Sequence, residues 1–220
     1  MTKRIIAFCG LAGSGKDTAC DYLVDRDYKK ISFASPLKQM AKIAFGFTDE
    51  QLYGSSSKRE EQDLRYPFSG ICVACGKQCS MRKDDTKVWE CFSCMREYPM
   101  FVSARLALQT LGTEWGRRLT SDLWAQAAVN QILASDYNLW CISDLRFKNE
   151  MKAVRDAGGV VVRLMRGKAM HNHASEQELL SIPVSEFDWV IHNHGDLADL
   201  YMALDSILDH IAVHARVTGR

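Results

Sequence analysis

The stretch GLAGSGKDT, residues 10–18, has the residue types and spacing to hold a polyphosphate. Gly10, Gly13 and Gly15 let backbone N–H groups turn inward on phosphate oxygens. A helix N-terminus behind them adds partial positive charge, and Lys16 bridges the outer phosphates. Gly13, Ser14, Gly15, Lys16, Asp17 and Thr18 are therefore the candidate nucleotide-binding residues. Asp17 is the odd member, because many such loops place Ser or Thr there to hold magnesium. A carboxylate about 4 Å from another negative charge is repelled by about 4 kcal/mol at an effective dielectric near 20. Asp17 must then point away, as an acid favoured in the first turn of a helix, or face a cation or donor, for which Arg146, magnesium-bound water and a sugar 3′-hydroxyl are the candidates.

A second cluster follows the run LWCISD, residues 139–144, an apolar strand ending in Asp. Ligands gather at the C-terminal ends of strands in open α/β sheets. Asp144 there suits a water-bridged magnesium or, alternatively, a helix cap. Arg146 and Glu150 follow it, Glu150 in the first turn of a helix starting near Phe147. Arg105 and Gln109 are four apart and share a helical face. An arginine fits a phosphate and an amide fits a base edge, although a solvated surface pair has the same spacing. Gly112 and Thr113 form a predicted turn. Trp124 lies in an amphipathic helix, where an indole serves either as core or as a stacking platform. Arg163, Arg166 and Lys168 are candidate cations for a transferring phosphoryl group. His171 and His173, with no further ligands nearby, belong to a polar lid segment.

Five of the eight cysteines fall between Cys72 and Cys94. CVAC (72–75) and CFSC (91–94) are two CxxC pairs separated by fifteen residues. This is zinc-ribbon spacing, in which each pair forms a tight knuckle and Cys72, Cys75, Cys91 and Cys94 close a tetrahedron around Zn²⁺. Cys79 is a spare that is able to replace Cys75. Four sulfur ligands make such a site structural, and an insertion this short, residues 70–98, is expected to bury no core of its own. Residues 72–97 carry five Lys or Arg against four Asp or Glu, so no basic face for nucleic acid is evident.

These groups need a scaffold. Strands are predicted over 4–10, 29–34, 139–144, 160–166 and 188–193, and helices over 16–26, 36–45, 103–111, 121–135, 146–158 and 197–215. Pro36 sits at the first turn of its helix, Ser121 suits an N-cap, and residues 48–70 look polar and irregular. Strands alternating with helices imply an α/β fold, a parallel sheet covered on both faces. A chain of 220 residues suits one domain with a small insertion. The net charge of +1 excludes a global field for nucleic acid. No apolar run approaches a membrane span, and no leader precedes the first strand, so a cytoplasmic protein is expected.

With Thr18 two residues after Lys16 and no NKxD motif in the chain, the loop resembles nucleoside monophosphate kinases more than GTPases. SGKDT, FASPLK, RLALQTLGTEWGR, DLW, SDLRFKNE, HASE and VIHN occur in the order seen in the bacteriophage deoxynucleoside monophosphate kinases, from Ile5 to about Leu208. The resemblance implies a P-loop kinase fold that transfers the γ-phosphate of ATP, with Mg²⁺, to a deoxynucleoside 5′-monophosphate (dNMP). It implies that Gly13 to Thr18 hold ATP, and that Arg105, Gln109, Gly112, Thr113 and Trp124 line the deoxynucleotide site, completed by Asp144, Arg146 and Glu150. Lys16, Asp17, Asp144 and Arg146 become the catalytic set. Ser35 departs from the family, which often has Asp there. Two other classes compete: a dephospho-coenzyme A kinase-like enzyme, and an ATP-dependent nucleic-acid-binding protein reading through the ribbon. The expected partners are the two small-molecule substrates, with no membrane and no nucleic acid. A homodimer is left open.

Overall fold

The structure, a computed structural model, describes residues 3–82, 86–166 and 179–218, with side chains only as far as residue 213 at the C-terminal end. Lys168, His171 and His173 lie outside the described residues. Along the chain, β1 (Arg4–Cys9) leads through the glycine loop to α1 (Lys16–Val24), β2 (Lys29–Ile31) and α2 (Ser35–Phe45). The polar stretch expected to be irregular instead forms α3 (Asp49–Tyr53), α4 (Ser56–Glu60) and β3 (Gln62–Pro67). Its signal was a capping box: Thr48 Oγ1 accepts from Gln51 N–H at 3.2 Å, and Gln51 Oε1 accepts from Thr48 N–H at 2.9 Å. Then come β4 (Ser80–Met81), β5 (Trp89–Cys91), β6 (Arg96–Tyr98), β7 (Phe101–Ser103) and α5 (Ala104–Gln109). A π-helix (Thr110–Gly116) and α6 (Arg117–Leu119) follow, then α7 (Leu123–Ala134), β8 (Leu139–Leu145), α8 (Lys148–Asp156), β9 (Val160–Met165), β10 (Trp189–His192) and α9 (Leu197–Thr218). No described helix is long and apolar enough to cross a membrane.

The chain divides into two compact units, residues 1–33 with 125–220, and residues 34–124. The first holds a five-stranded sheet in the order β10-β9-β1-β8-β2, with every pairing parallel. Side chains alternate along β1. Ile5, Ala7 and Cys9 pack with Ala128, Ile132, Ile142 and Val161 on one face, while Ile6 and Phe8 pack with Leu23, Leu200 and Leu204 on the other. Both faces are apolar because helices cover both, as the near-continuous hydrophobic strands predict. β1 lies between β8 and β9, where the succession of strands reverses, so its C-terminal end is the topological switch point of the sheet. The pairing of β1 with β8 slips there: Ala7 faces Ile142 but Cys9 faces Leu145. One extra residue on β8 thus bulges at Ser143–Asp144, which re-aims both side chains.

Arg163, a candidate mobile cation, lies inside β9 and is buried. Its Nη1 donates to Ile182 O at 3.1 Å, and its guanidinium lies 5.0 Å from the Phe187 ring centre. It is a core group that ties β9 to the segment before β10. Arg166, just past the strand, is exposed.

The second unit has two small cores. Ala41, Phe47, Leu52, Ala104 and Ala107 pack α2 and α3 on α5. Phe68, Cys72, Cys79, Cys91 and Tyr98 form the other, with Phe68 stacked on Tyr98 at 4.7 Å. The cysteine segment, expected to lack a core, therefore has one: an aromatic pair under β4-β5-β6. The structural reason is that Phe68, just before the segment, folds under it.

Arg163→Met should lower the unfolding free energy by about 1–3 kcal/mol, because the Ile182 carbonyl loses its donor. Turnover in the phosphoryl transfer that the resemblance implies should stay within twofold of wild type. Urea denaturation beside steady-state kinetics checks both, and a loss of turnover beyond tenfold at unchanged stability would restore Arg163 as a candidate cation for a transferring phosphoryl group.

Candidate active site

The glycine loop is shaped by crowding. Gly10, Gly13 and Gly15 have φ of +152°, +74° and +97°, conformations that side chains resist. A Cβ on Gly10 would lie 2.4 Å from Leu164 O, and one on Gly15 would lie 2.6 Å from Asn193 Nδ2. Asn193 is buried and clamps the loop: its Nδ2 donates to Ser14 O at 3.0 Å, and its backbone N–H donates to Met165 O at 2.8 Å. The Lys16 ammonium donates to Gly10 O and Leu11 O, each at 2.7 Å. Cationic lysine, left-handed glycines and the start of α1 thus converge at the end of the central strand, a donor set that fits a polyphosphate. Cys9, at the loop's root, is a packing group, since burial pushes its thiol up to about 12.

Asp17 does find a cation, and it is Lys30. The Lys30 ammonium lies 2.9 Å from Asp17 Oδ1 and 3.0 Å from Asp21 Oδ1, bridging two acids one turn apart on α1. Burial would raise the Asp17 carboxyl, but Lys30 and the Ser143 hydroxyl outweigh it and hold it below its ordinary range. Lys30, despite its partial burial, is held above its ordinary value by the same two carboxylates. The Asp17 side chain keeps 77% of its exposure, so it remains open to further contacts.

Asp144 Oδ1 accepts the Phe33 N–H at 2.9 Å, which ties the end of β2 to the bulge of β8. Glu150 is buried and accepts the N–H groups of Arg146 at 2.7 Å and Phe147 at 3.1 Å. It fixes the turn that presents Arg146, whose exposed guanidinium pairs with no carboxylate among the described residues.

In the second unit, Arg105 and Gln109 share an exposed face of α5 as expected, and Arg105 pairs with Glu60 at 3.5 Å. Gly112 and Thr113, predicted as a turn, lie in the π-helix. The glycines there make room for an indole: a Cβ on Gly116 would lie 2.6 Å from Trp124, whose Nε1 donates to Gly112 O at 2.9 Å. Trp124 is thus buried with its N–H already satisfied. Gln109 and Thr113 line a cavity of about 420 Å³ with Val73, Arg96 and Tyr98, and Arg105 does not reach it.

The sulfurs of Cys72, Cys75, Cys91 and Cys94 all lie within 4.8 Å of one another, with Cys72–Cys94 and Cys75–Cys91 at 3.5 Å. Four thiolates at about 2.3 Å from one ion stand about 3.8 Å apart, so the set fits tetrahedral coordination. The two knuckles match. Gly76 N–H donates to Cys72 O and Met95 N–H to Cys91 O, each at 2.8 Å, with φ of 72° and 56° at the donors. Burial pushes the Cys72 thiol up, but the Tyr98 hydroxyl and the N–H groups of Cys75 and Ala74 bring it down to about 6. Cys91 is lowered against burial by the N–H groups of Cys94 and Ser93. Cys79 stands outside the quartet, its thiol raised to about 11 by burial.

Lys30, Ser143 and Asn193 escaped the sequence reading of this site. Asn193 sat in a quoted motif, VIHN, without a role. Lys30 follows α1 in an alternating strand, but only pairing of β2 with β8 brings it to Asp17.

Residues 75–204 match the family model described as deoxynucleotide monophosphate kinase. A protein of Acanthamoeba polyphaga mimivirus named for the same activity is 29% identical over 222 residues, covering 94% of this chain and 96% of its own. The deoxynucleotide monophosphate kinase of Escherichia phage RB69 is 26% identical over 93% of this chain and 99% of its own. Among solved structures, a dephospho-CoA kinase from Campylobacter jejuni aligns over 96% of this chain and 98% of its own, with a TM-score of 0.47 and 12% identity. At that level the likeness identifies no activity.

The Asp17–Lys30 pair sets a pH window. A depressed Asp17 carboxyl stabilises the fold above its unfolded value near 3.8 and loses that contribution as pH falls. A raised Lys30 stabilises below its unfolded value near 10.5 and loses that contribution as pH climbs past it. For an exposed pair, Asp17→Asn should cost about 0.5–1 kcal/mol at pH 7, shrinking towards zero as pH is lowered to about 3. Urea denaturation of both proteins across this range checks it, and a cost independent of pH would show that the charge pair is not its source.

Proposed function

The chain belongs to the deoxynucleotide monophosphate kinase family, and from that premise we propose how its residues divide the transfer of a phosphoryl group from ATP to a dNMP. The observation that carries the reading is the Lys16 ammonium held within the glycine loop at the switch point of a parallel sheet. Gly13, Ser14, Gly15, Lys16 and Thr18 hold the ATP phosphates. Thr18 and Asp144 would hold Mg²⁺, which would neutralise charge developing on the phosphates. An oxygen of the acceptor phosphate forms a bond to the γ-phosphorus as the bond to ADP breaks, in line. Little covalent work falls to the protein, so positioning and charge dominate.

Lys16 stabilises the charge that grows on the outer phosphates. Arg146, exposed just past the end of β8 and presented by Glu150, meets the acceptor or transferring phosphate. Arg105, Gln109 and Thr113 contact the deoxynucleotide, with Gly112 and Trp124 shaping their segment. Asp17, steadied by Lys30, keeps an open carboxylate for the acceptor sugar or a metal-bound water.

We further infer that Cys72, Cys75, Cys91 and Cys94 hold one Zn²⁺. The spacing of the sulfurs and the paired knuckles support it.

Lys16→Ala should lower kcat at least about 10²-fold, measured by coupled ADP release with each common dNMP and NMP. An enzyme whose ADP release responds to none of these acceptors would defeat the reading. Elemental analysis of protein purified without chelator should find one zinc per chain, and Cys91→Ser with Cys94→Ser should abolish it. Well under one zinc in the wild type would reject the metal.

A further inference from the structure

The cysteine segment is fastened to the π-helix at one residue. The Glu114 side chain, only 15% exposed, lies 2.8 Å from Arg96 Nη1 and 3.2 Å from Arg118 Nη2. Arg96 follows Cys94 by two residues and opens β6. Arg118 Nη2 also donates to Ala74 O at 2.9 Å, a carbonyl within the CVAC knuckle itself. One carboxylate thus joins a group beside the second CxxC pair to an arginine bonded to the first. Leu106 packs on the aromatic core under the knuckles, which adds an apolar contact from α5, the helix that leads into the π-helix.

The residue so clasped sits beside groups assigned to the deoxynucleotide. Glu114 is the neighbour of Thr113 and lies five residues after Gln109, which is one π turn. All three line the same cavity, with Arg96 and Tyr98 from β6 on another part of its wall. π-helical hydrogen bonding is rare and is kept only where the surroundings impose it. Here a charged hydrogen bond from Arg96 and an ion pair with Arg118, both to a largely buried carboxylate, provide such a constraint, alongside the Trp124 bond to Gly112.

We propose that the metal-held knuckles position the segment that reads the deoxynucleotide, with Glu114 as the positioning residue and Arg96 and Arg118 as its anchors. The inference rests on the zinc site and on the assignment of Gln109 and Thr113 to the acceptor. Without the clasp, the segment relaxes towards the ordinary i→i+4 register, which turns Thr113 relative to Gln109 and spoils a contact to one substrate only. Specificity for the acceptor then depends on a metal that touches neither substrate.

The test is Glu114→Gln, which keeps the shape and removes the charge, beside Glu114→Ala. Each should raise KM for the preferred dNMP about tenfold or more. KM for ATP and kcat at saturating dNMP should stay within twofold, and zinc should stay at one per chain. Arg96→Glu should show the same defect, and Arg96→Glu with Glu114→Arg should recover most of it. Should Glu114→Ala fail to fold, Glu114→Gln and the charge-swapped pair carry the test. An unchanged KM for dNMP in a zinc-replete variant overturns the clasp while leaving the zinc site standing. Equal losses for both substrates also overturn it, since they mark general destabilisation. Wild-type protein lacking zinc overturns the metal link, and a dNMP-specific defect in Glu114→Gln would then stand without it.

Discussion

Between the carbonyl of Leu164 and the amide of Asn193, the chain leaving β1 has room for backbone and for nothing more. Close approach of this kind decides the rest of the first unit. It requires glycine at positions 10 and 15, and it requires β9 and β10 to run parallel to β1 so that their ends deliver Leu164 and Asn193 to the same place. That alignment needs a sheet apolar on both faces, because the crossovers of parallel strands bury both. The loop so confined turns its amides towards one point and starts α1 there, leaving Lys16 to fold back on its carbonyls. A side chain added at either glycine would displace a strand end as well as the loop.

Asp17 shows how a local oddity is settled by distant structure. Its position in the first turn of α1 is favourable in itself, yet its carboxylate stands beside a donor set that fits a polyphosphate. Lys30 resolves the conflict from the neighbouring strand, and Ser143 adds a donor from the bulge in β8. The same bulge turns Asp144 to the Phe33 N–H, so one irregularity sets two acidic groups. Repulsion among acids and phosphate is therefore handled by placement of partners, with little burial of charge, which would be costly.

Much of this was legible. Continuous apolar runs marked β1, β8, β9 and β10, and the glycine spacing marked the loop between strand and helix. The two CxxC pairs named the sulfur quartet outright, including the choice of Cys75 over Cys79. What escaped depends on tertiary facts. The partner of Asp17 requires the β2–β8 register. The bulge leaves no trace in the composition of LWCISDL. A π-helix has no period of its own to detect over seven residues, so TLGTEWG looked like a turn. Arg163 in VVVRLM was taken for a candidate cation towards a transferring phosphoryl group because a charged residue is rarely buried without a partner, and its partners, the Ile182 carbonyl and the Phe187 ring, lie elsewhere in the chain. The aromatic core of the cysteine segment was missed because Phe68 precedes the segment it supports.

Burial separates the residues of the candidate site into two kinds. Glu150 and Trp124, carried over by resemblance, and Asn193, found only in the structure, are each buried, and each directs its polar atoms at backbone: two N–H groups, a carbonyl, and another carbonyl. Their hydrogen bonds are already made, so their effect on a ligand passes through the shape of the turn, π-helix or loop they hold. Arg146, Gln109 and Thr113 are exposed, and Asp17 keeps most of its surface free despite Lys30. These are the groups with atoms still to offer. The same division holds at the cysteine quartet, where the Tyr98 hydroxyl lies 3.2 Å from the Cys72 sulfur within the aromatic core while the four sulfurs face one another. A hydrogen bond of this sort orients a thiol and tunes its basicity, so the core beneath the knuckles and the quartet above it cannot be altered independently.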